Sequence, residues 1–140
     1  VLTPLPRTSE SAMALAHELV RAIGARPLQL DAPRHDLLVA AISHLPYLLA
    51  ACLVATAEGL ADDAIWQMAS SGFRDASRLA ASDETMMLDV LLSNRAALGQ
   101  IIARFQDQLA DLAGQLRMGN ETGLHTAMSA AAQRRRRLFQ

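Results

Sequence analysis

From Leu37 to Ala57 the chain carries no formally charged residue. A run of that length belongs either in lipid or in a protein interior, because a bilayer-spanning helix needs about 20 consecutive apolar residues. Ser43, His44, Pro46, Tyr47 and Thr56 interrupt the run, and its flanks are not strongly basic. It therefore reads as a central helix, from about Arg34 to Glu58, buried on two sides of a helical domain. Pro33 suits its first turn, where a missing N–H costs nothing. Pro46 should kink it, because the carbonyl of Ile42 loses its partner.

The rest of the composition agrees with a helical interior. The chain has 140 residues, 51% of them hydrophobic and only 4% aromatic. Such a core is built from Leu, Ala, Ile, Val and Met, side chains that mostly sit easily in helices. The length suits one domain, or one domain with a fragment of another. A net charge of −1 supplies no global field to attract nucleic acid. All 13 basic residues are arginine. The single cysteine, Cys52, excludes an internal disulfide and reads as a small buried hydrophobe. No apolar run follows Arg7, so no signal peptide is read and a cytoplasmic location is expected.

Ahead of the central helix the pattern differs. Val1 to Leu5 reads as a strand end. Ser9 or Thr8 can cap a helix with Ala12, Leu15, Ala16, Leu19, Val20 and Ile23 on its apolar face, and Gly24 stops it. Arg26 to Asp31 alternates like a short strand. Strand, helix, strand is an α/β unit. One such unit cannot make a sheet, so residues 1–31 are expected to be the tail of a domain whose other strands lie upstream. The absence of an initiating Met fits a part of a longer protein.

Beyond Gly59 only helices are expected. A short one from about Asp62 to Ala69 holds the only tryptophan, Trp66, and is broken by Gly72. Another runs from Phe73 to Ala80. Ser82-Asp-Glu starts a long helix to Leu116, with carboxylates facing its dipole. Its seam is Leu91, Leu98, Ile101 or Ile102, Phe105, Leu109, Leu112 and Leu116, with Asn94 as a polar break. Thr122 to Arg137 is the last helix, ending in a solvated run, Arg134 to Arg137.

The chemistry-bearing candidates are few. Arg74 and Arg78 lie four apart on one helix face and repel each other unless an anion or carboxylates compensate. The planar guanidinium fork suits a carboxylate ligand. The alternative, slightly favoured on spacing alone, is a buried network with Asp36, Asp75 or Asp83. His44 falls near Ser43 and Tyr47 on the central helix, and a lone histidine there is more often structural than catalytic. His35-Asp36 opens the same helix, with Asp36 answering its dipole. His17 and His125 read as surface residues. No metal-ligand spacing, nucleophile elbow, phosphate loop or dinucleotide glycine motif occurs.

Four segments nevertheless occur together in a telling order: Leu2-Thr-Pro-Leu-Pro-Arg-Thr, His35-Asp-Leu-Leu-Val-Ala-Ala-Ile-Ser-His-Leu-Pro, Gly72-Phe-Arg-Asp-Ala-Ser-Arg-Leu-Ala-Ala-Ser-Asp, and Asn94-Arg-Ala-Ala-Leu. Together they resemble the prephenate dehydrogenases, over most of the chain. The resemblance implies a mostly all-α fold, the helical domain of the 6-phosphogluconate-dehydrogenase-like C-terminal type, over 32–140. Residues 1–31 would then be the tail of a Rossmann domain that binds NAD or NADP.

The resemblance also implies a homodimer through the helical domain, and a cleft that takes prephenate or arogenate. It puts Arg78 on a substrate carboxylate, with Arg74 second and His44 and His35 near the cleft. Tyr47 stands where the family often has histidine, and Met86-Met87 where it often has tryptophan, both beside the substrate pocket. The catalytic histidine and the dinucleotide glycines would lie upstream, leaving this part inactive alone. A non-catalytic helical dimerisation or partner-binding module is the alternative. The helical domain of another Rossmann-type hydroxy-acid dehydrogenase is a third reading. No nucleic-acid or membrane partner is expected.

Overall fold

A computed structural model describes residues 1–139. The chain forms two compact units, residues 1–101 and 102–140, divided within one helix.

In the first unit, α1 (Glu10–Ala22) starts where the Ser9 hydroxyl accepts the Ala12 N–H and stops before Gly24, whose φ of +76° suits a residue without a side chain. On either side of α1 the expected strands reduce to one parallel bridge, Leu2 to Gln29. It is held by Leu2 N–H to the Leu28 carbonyl at 2.8 Å and Leu30 N–H to the Leu2 carbonyl at 3.0 Å. No strand extends from it among the described residues, since a lone pair of short segments has too little to pair with. For the same reason Leu15 and Leu19 of α1, and Ile23 just after it, stay exposed. His17 is not a free surface residue. It is half-buried, with Nε2 3.4 Å from the Gln29 Oε1, and its Nδ1 is shielded with no partner.

The apolar stretch is a continuous helical segment, Ala32–Glu58, of mean hydropathy 2.1 over its most apolar window. Asp31 caps it through the Arg34 N–H at 2.9 Å, with Pro33 in its first turn. Asp36 does not answer the helix dipole as expected, because it lies beyond the first turn and pairs with His35. The segment divides into α2 (Ala32–Val39), a π turn (Ala40–His44) and α3 (Leu45–Glu58). The irregularity expected of Pro46 takes the form of that π turn, in which Leu45 N–H reaches back to the Ala40 carbonyl. The wider turn makes room next to a ring that would otherwise meet the carbonyl four residues back.

The expected two-sided burial is not met within this chain. Only 17% of the apolar window is buried, because α3 packs mainly on α5 and the turn after it. Cys52 is exposed for that reason.

After α3, α4 (Ala64–Met68) and α5 (Ser71–Ser77) meet at an edge-to-face contact of Trp66 and Phe73, with ring centroids 6.1 Å apart. The break between them is the extended backbone at Ala69 and Ser70. Gly72 lies inside α5 and breaks nothing. A 3-10 turn (Arg78–Ala81) leads to α6 (Glu84–Ser93), capped by Asp83 accepting the Met86 N–H at 2.7 Å. The long helix expected from Glu84 is two helices. Asn94, at φ −113° and ψ 25°, ends α6, and α7 (Arg95–Arg117) begins after it. Asparagine offers the backbone alternatives to helix, so a break at that residue is its ordinary behaviour.

The predicted seam is real but unevenly buried. Leu98 and Ile101 are buried, Leu91 and Phe105 half-buried, and Leu109, Leu112 and Leu116 exposed. In the second unit α8 (Glu121–Leu138) follows Gly119, with Asn120 capping the Gly123 N–H at 3.0 Å. Its final arginines are exposed, and Arg135 lies over the Phe139 ring at 3.8 Å.

Candidate functional site

Four polar residues of the first unit meet at the π turn. It places His44 at the end of the bend, where the ring is buried with 7% exposure. Asn94, on the break between α6 and α7, reaches back to this bend. Its Nδ2 lies 2.7 Å from the Asp36 carbonyl oxygen and 3.3 Å from His44 Nδ1. The Asp36 carboxylate in turn meets His35 Nδ1 at 3.0 Å, and His35 is about two-thirds buried. His35, Asp36, His44 and Asn94 thus form one connected cluster, closed by a bond between residues 58 apart in sequence.

A cleft of about 710 Å³ adjoins this cluster, lined by Pro33, Asp36, Leu37, Asn94, Arg95 and Gln100 among others. One wall is the α6–α7 break, so Asn94 and Arg95 line the cleft together with Asp36. Among the described residues no three metal-ligating side chains converge.

The two arginines expected at the site are placed differently. Arg74 lies on α5, and Arg78 opens the 3-10 turn one helical turn later, where regular α-helix ends. Both are exposed. The carboxylates of the alternative buried network are engaged elsewhere: Asp36 with His35, and Asp83 with the start of α6. His35–Asp36 is the only ion pair among the described residues, so that network does not form. Neither arginine lines the cleft at Asn94. Tyr47 is half-buried on α3, the helix against which α5 and the Arg78 turn pack.

The sequence marks His35 and His44 as candidates, and it shows Asn94 both as a polar break in the seam and as the start of the segment Asn94-Arg-Ala-Ala-Leu, without assigning Asn94 or Arg95 a role. The available signal was a polar residue on an otherwise apolar helical stripe. Its side chain must either find a partner or end the helix, and here it does both.

This arrangement defines an all-helical domain whose apolar helix is interrupted by a π turn, with a histidine–asparagine cluster at that turn. Residues 31–130 match the family described as "Prephenate dehydrogenase, dimerization domain", and the chain belongs to that family. It is 35% identical over 98 residues to the prephenate dehydrogenase of Lactococcus lactis, covering 69% of this chain and 28% of that protein. It is 33% identical over 115 residues to the cyclohexadienyl dehydrogenase of Zymomonas mobilis, covering 80% and 38%. Among solved structures it is similar to Synechocystis arogenate dehydrogenase, at a TM-score of 0.88 and 26% identity, over 97% of this chain and 50% of that one. Its fold also matches the Aquifex aeolicus prephenate dehydrogenase solved with hydroxyphenyl propionate and NAD+, at a TM-score of 0.91, 24% identity, and coverage of 97% and 48%. The chain spans about a third of the length of the curated relatives it matches and about half of the solved chains.

Proposed function

We propose that this chain is the substrate-binding and dimerisation part of an NAD- or NADP-dependent prephenate or arogenate dehydrogenase, a cytoplasmic enzyme of tyrosine biosynthesis. The family match over residues 31–130 carries the reading. Residues 1–31, with their single parallel bridge and one helix, are the end of the nucleotide-binding domain.

Arg78 holds a substrate carboxylate. Its fork is exposed and engaged by no carboxylate among the described residues, which leaves it available for an anion. Arg74, one turn earlier, adds positive charge to the same edge. His44, His35 and Tyr47 border the ring of the substrate. In the reaction the carbon bearing the ring hydroxyl loses a hydride and the hydroxyl loses a proton. The bond from the ring to its carboxylate then breaks, carbon dioxide leaves, and the electron pair completes the aromatic ring. The nicotinamide, when bound, accepts the hydride. The base and the dinucleotide-binding glycines belong to the nucleotide-binding domain, so these residues alone do not turn over substrate.

A second copy of the chain covers exposed apolar side chains of each unit: Leu53 on α3 in the first, and Leu109, Leu112 and Leu116 on α7 in the second. The test is an assay of the intact protein with prephenate and arogenate, following reduction of NAD+ and of NADP+. Turnover with either substrate is expected. A folded dimer that binds neither substrate would leave the helical module as a non-catalytic interaction domain.

A further inference from the structure

The hydrogen bonds of Asn94 decide which nitrogen of His44 carries the proton. A carbonyl oxygen can only accept, so the Asn94 atom 2.7 Å from the Asp36 oxygen is the amide nitrogen. An amide nitrogen only donates. The same nitrogen lies 3.3 Å from His44 Nδ1, so Nδ1 must present its lone pair. The proton of the neutral ring is then on Nε2. The ring is buried, so water cannot readily stand in for the amide.

The contact is held at both ends. The Asp36 carbonyl also accepts the Ala40 N–H, the bond that closes α2. With both lone pairs engaged, it fixes the amide with respect to the bend. Asn94 itself is fixed because its carbonyl starts α7 by accepting the Leu98 N–H at 3.0 Å. The other ring nitrogen is open. His44 Nε2 has no partner among the described residues, yet the only shielded, partnerless side-chain nitrogen or oxygen among them is His17 Nδ1. Nε2 is therefore within reach of solvent or of a ligand.

We infer that Asn94 is a positioning residue that holds His44 as the Nε2–H tautomer, so that His44 meets the substrate as a hydrogen-bond donor to an acceptor oxygen and not as a base. The assignment of the tautomer stands on the geometry alone. The statement about substrate rests on the dehydrogenase reading above. A donor at this point suits a substrate that brings a carboxylate or hydroxyl oxygen to the bend. It also separates the two ring-nitrogen roles that a histidine beside a substrate could take.

The experiment has two readouts on the intact protein. Nitrogen-15 histidine labelling with long-range proton–nitrogen spectra, the His44 signals being assigned by their loss in His44→Gln, should show a pyrrole-type Nε2 and a pyridine-type Nδ1. In Asn94→Asp the ionised carboxylate can only accept, and the pattern should invert to Nδ1–H. An Nδ1–H ring in the unaltered protein, or a His44 pattern indifferent to Asn94→Asp, overturns the inference. In the dehydrogenase assay Asn94→Asp should raise KM on the order of tenfold, the worth of one lost hydrogen bond, with a smaller change in kcat. An unchanged KM overturns the donor role. An unaltered protein with no dehydrogenase activity would instead count against the proposed function, and the spectra would still decide the tautomer.

Discussion

Replacing Arg78 separates binding from folding. The guanidinium is exposed and makes no ion pair among the described residues, so the fold does not depend on it. Surface substitutions of that kind stay within about 0.5 kcal/mol of the parent. A carboxylate bound by the fork is a charge-assisted contact, worth about 1.5–3 kcal/mol. At about 1.4 kcal/mol per tenfold, Arg78→Ala should raise KM by roughly 10- to 150-fold while the urea midpoint stays nearly fixed. Arg78→Lys keeps the charge and loses the fork, so its KM should fall between the two. The assay is initial-rate kinetics on the intact protein at saturating dinucleotide, with urea denaturation of each variant beside it. A KM within twofold of the parent would refute the carboxylate assignment. So would a stability loss well above 1 kcal/mol, which would make Arg78 a structural residue after all.

Three further outcomes follow from burial and backbone geometry. Met87 is buried and Met86 is exposed, so Met87→Ala should cost about 2–5 kcal/mol in denaturation while Met86→Ala costs little. Equal effects would refute this difference, and the reverse order would mean that α6 faces the other way. Ala61 has a φ of 51°, a left-handed conformation that costs a residue with a side chain about 1–2 kcal/mol. Ala61→Gly should therefore raise the urea midpoint despite the greater freedom it gives the unfolded chain, and a lowered midpoint would refute this. Leu109 and Leu116 are 54% and 69% exposed, and the double change Leu109→Glu, Leu116→Glu should give monomers in sedimentation of the intact protein if a second copy covers them. Retention of the dimer would place the interface elsewhere.

The helix ends were legible where a side chain answers its own backbone. Ser9, Asp83 and Gly24 act through groups within three residues of themselves, and such local bonds can be read from a one-dimensional string. The interior features were not. The π turn at Ala40–His44 and the break at Asn94 meet across 50 residues, through a bond that no periodicity encodes. Periodicity also misjudged exposure. Cys52, Leu15 and Leu109 sit on apolar stripes and were expected inside, but a stripe says only that a face is apolar and does not name what covers it. At the candidate site, the histidines were visible as residue types. The asparagine was visible too, as a polar break on the seam, but its bonds to the Asp36 backbone and to His44 were not, because they join residues 58 and 50 apart.

That gap between apolar pattern and burial bears on what the chain is for. Half of its residues are hydrophobic, yet only six hydrophobic side chains are buried among those described, and no large one is wholly enclosed. Folding must offset a backbone entropy of about 1–2 kcal/mol per residue, chiefly by burying apolar surface. A chain so rich in apolar side chains and so poor in enclosed ones is far from using what its sequence offers. Larger contiguous apolar surfaces on soluble proteins mark places where another surface belongs. The π turn and its polar cluster lie in the same segment as the under-covered α3. Ile42, within the π turn itself, is 75% exposed, so a partner seated on that side chain also borders the turn that holds His44. Under the dehydrogenase reading, dimer formation and substrate recognition act on one element, and loss of the dimer should weaken substrate binding even where no substrate contact is changed.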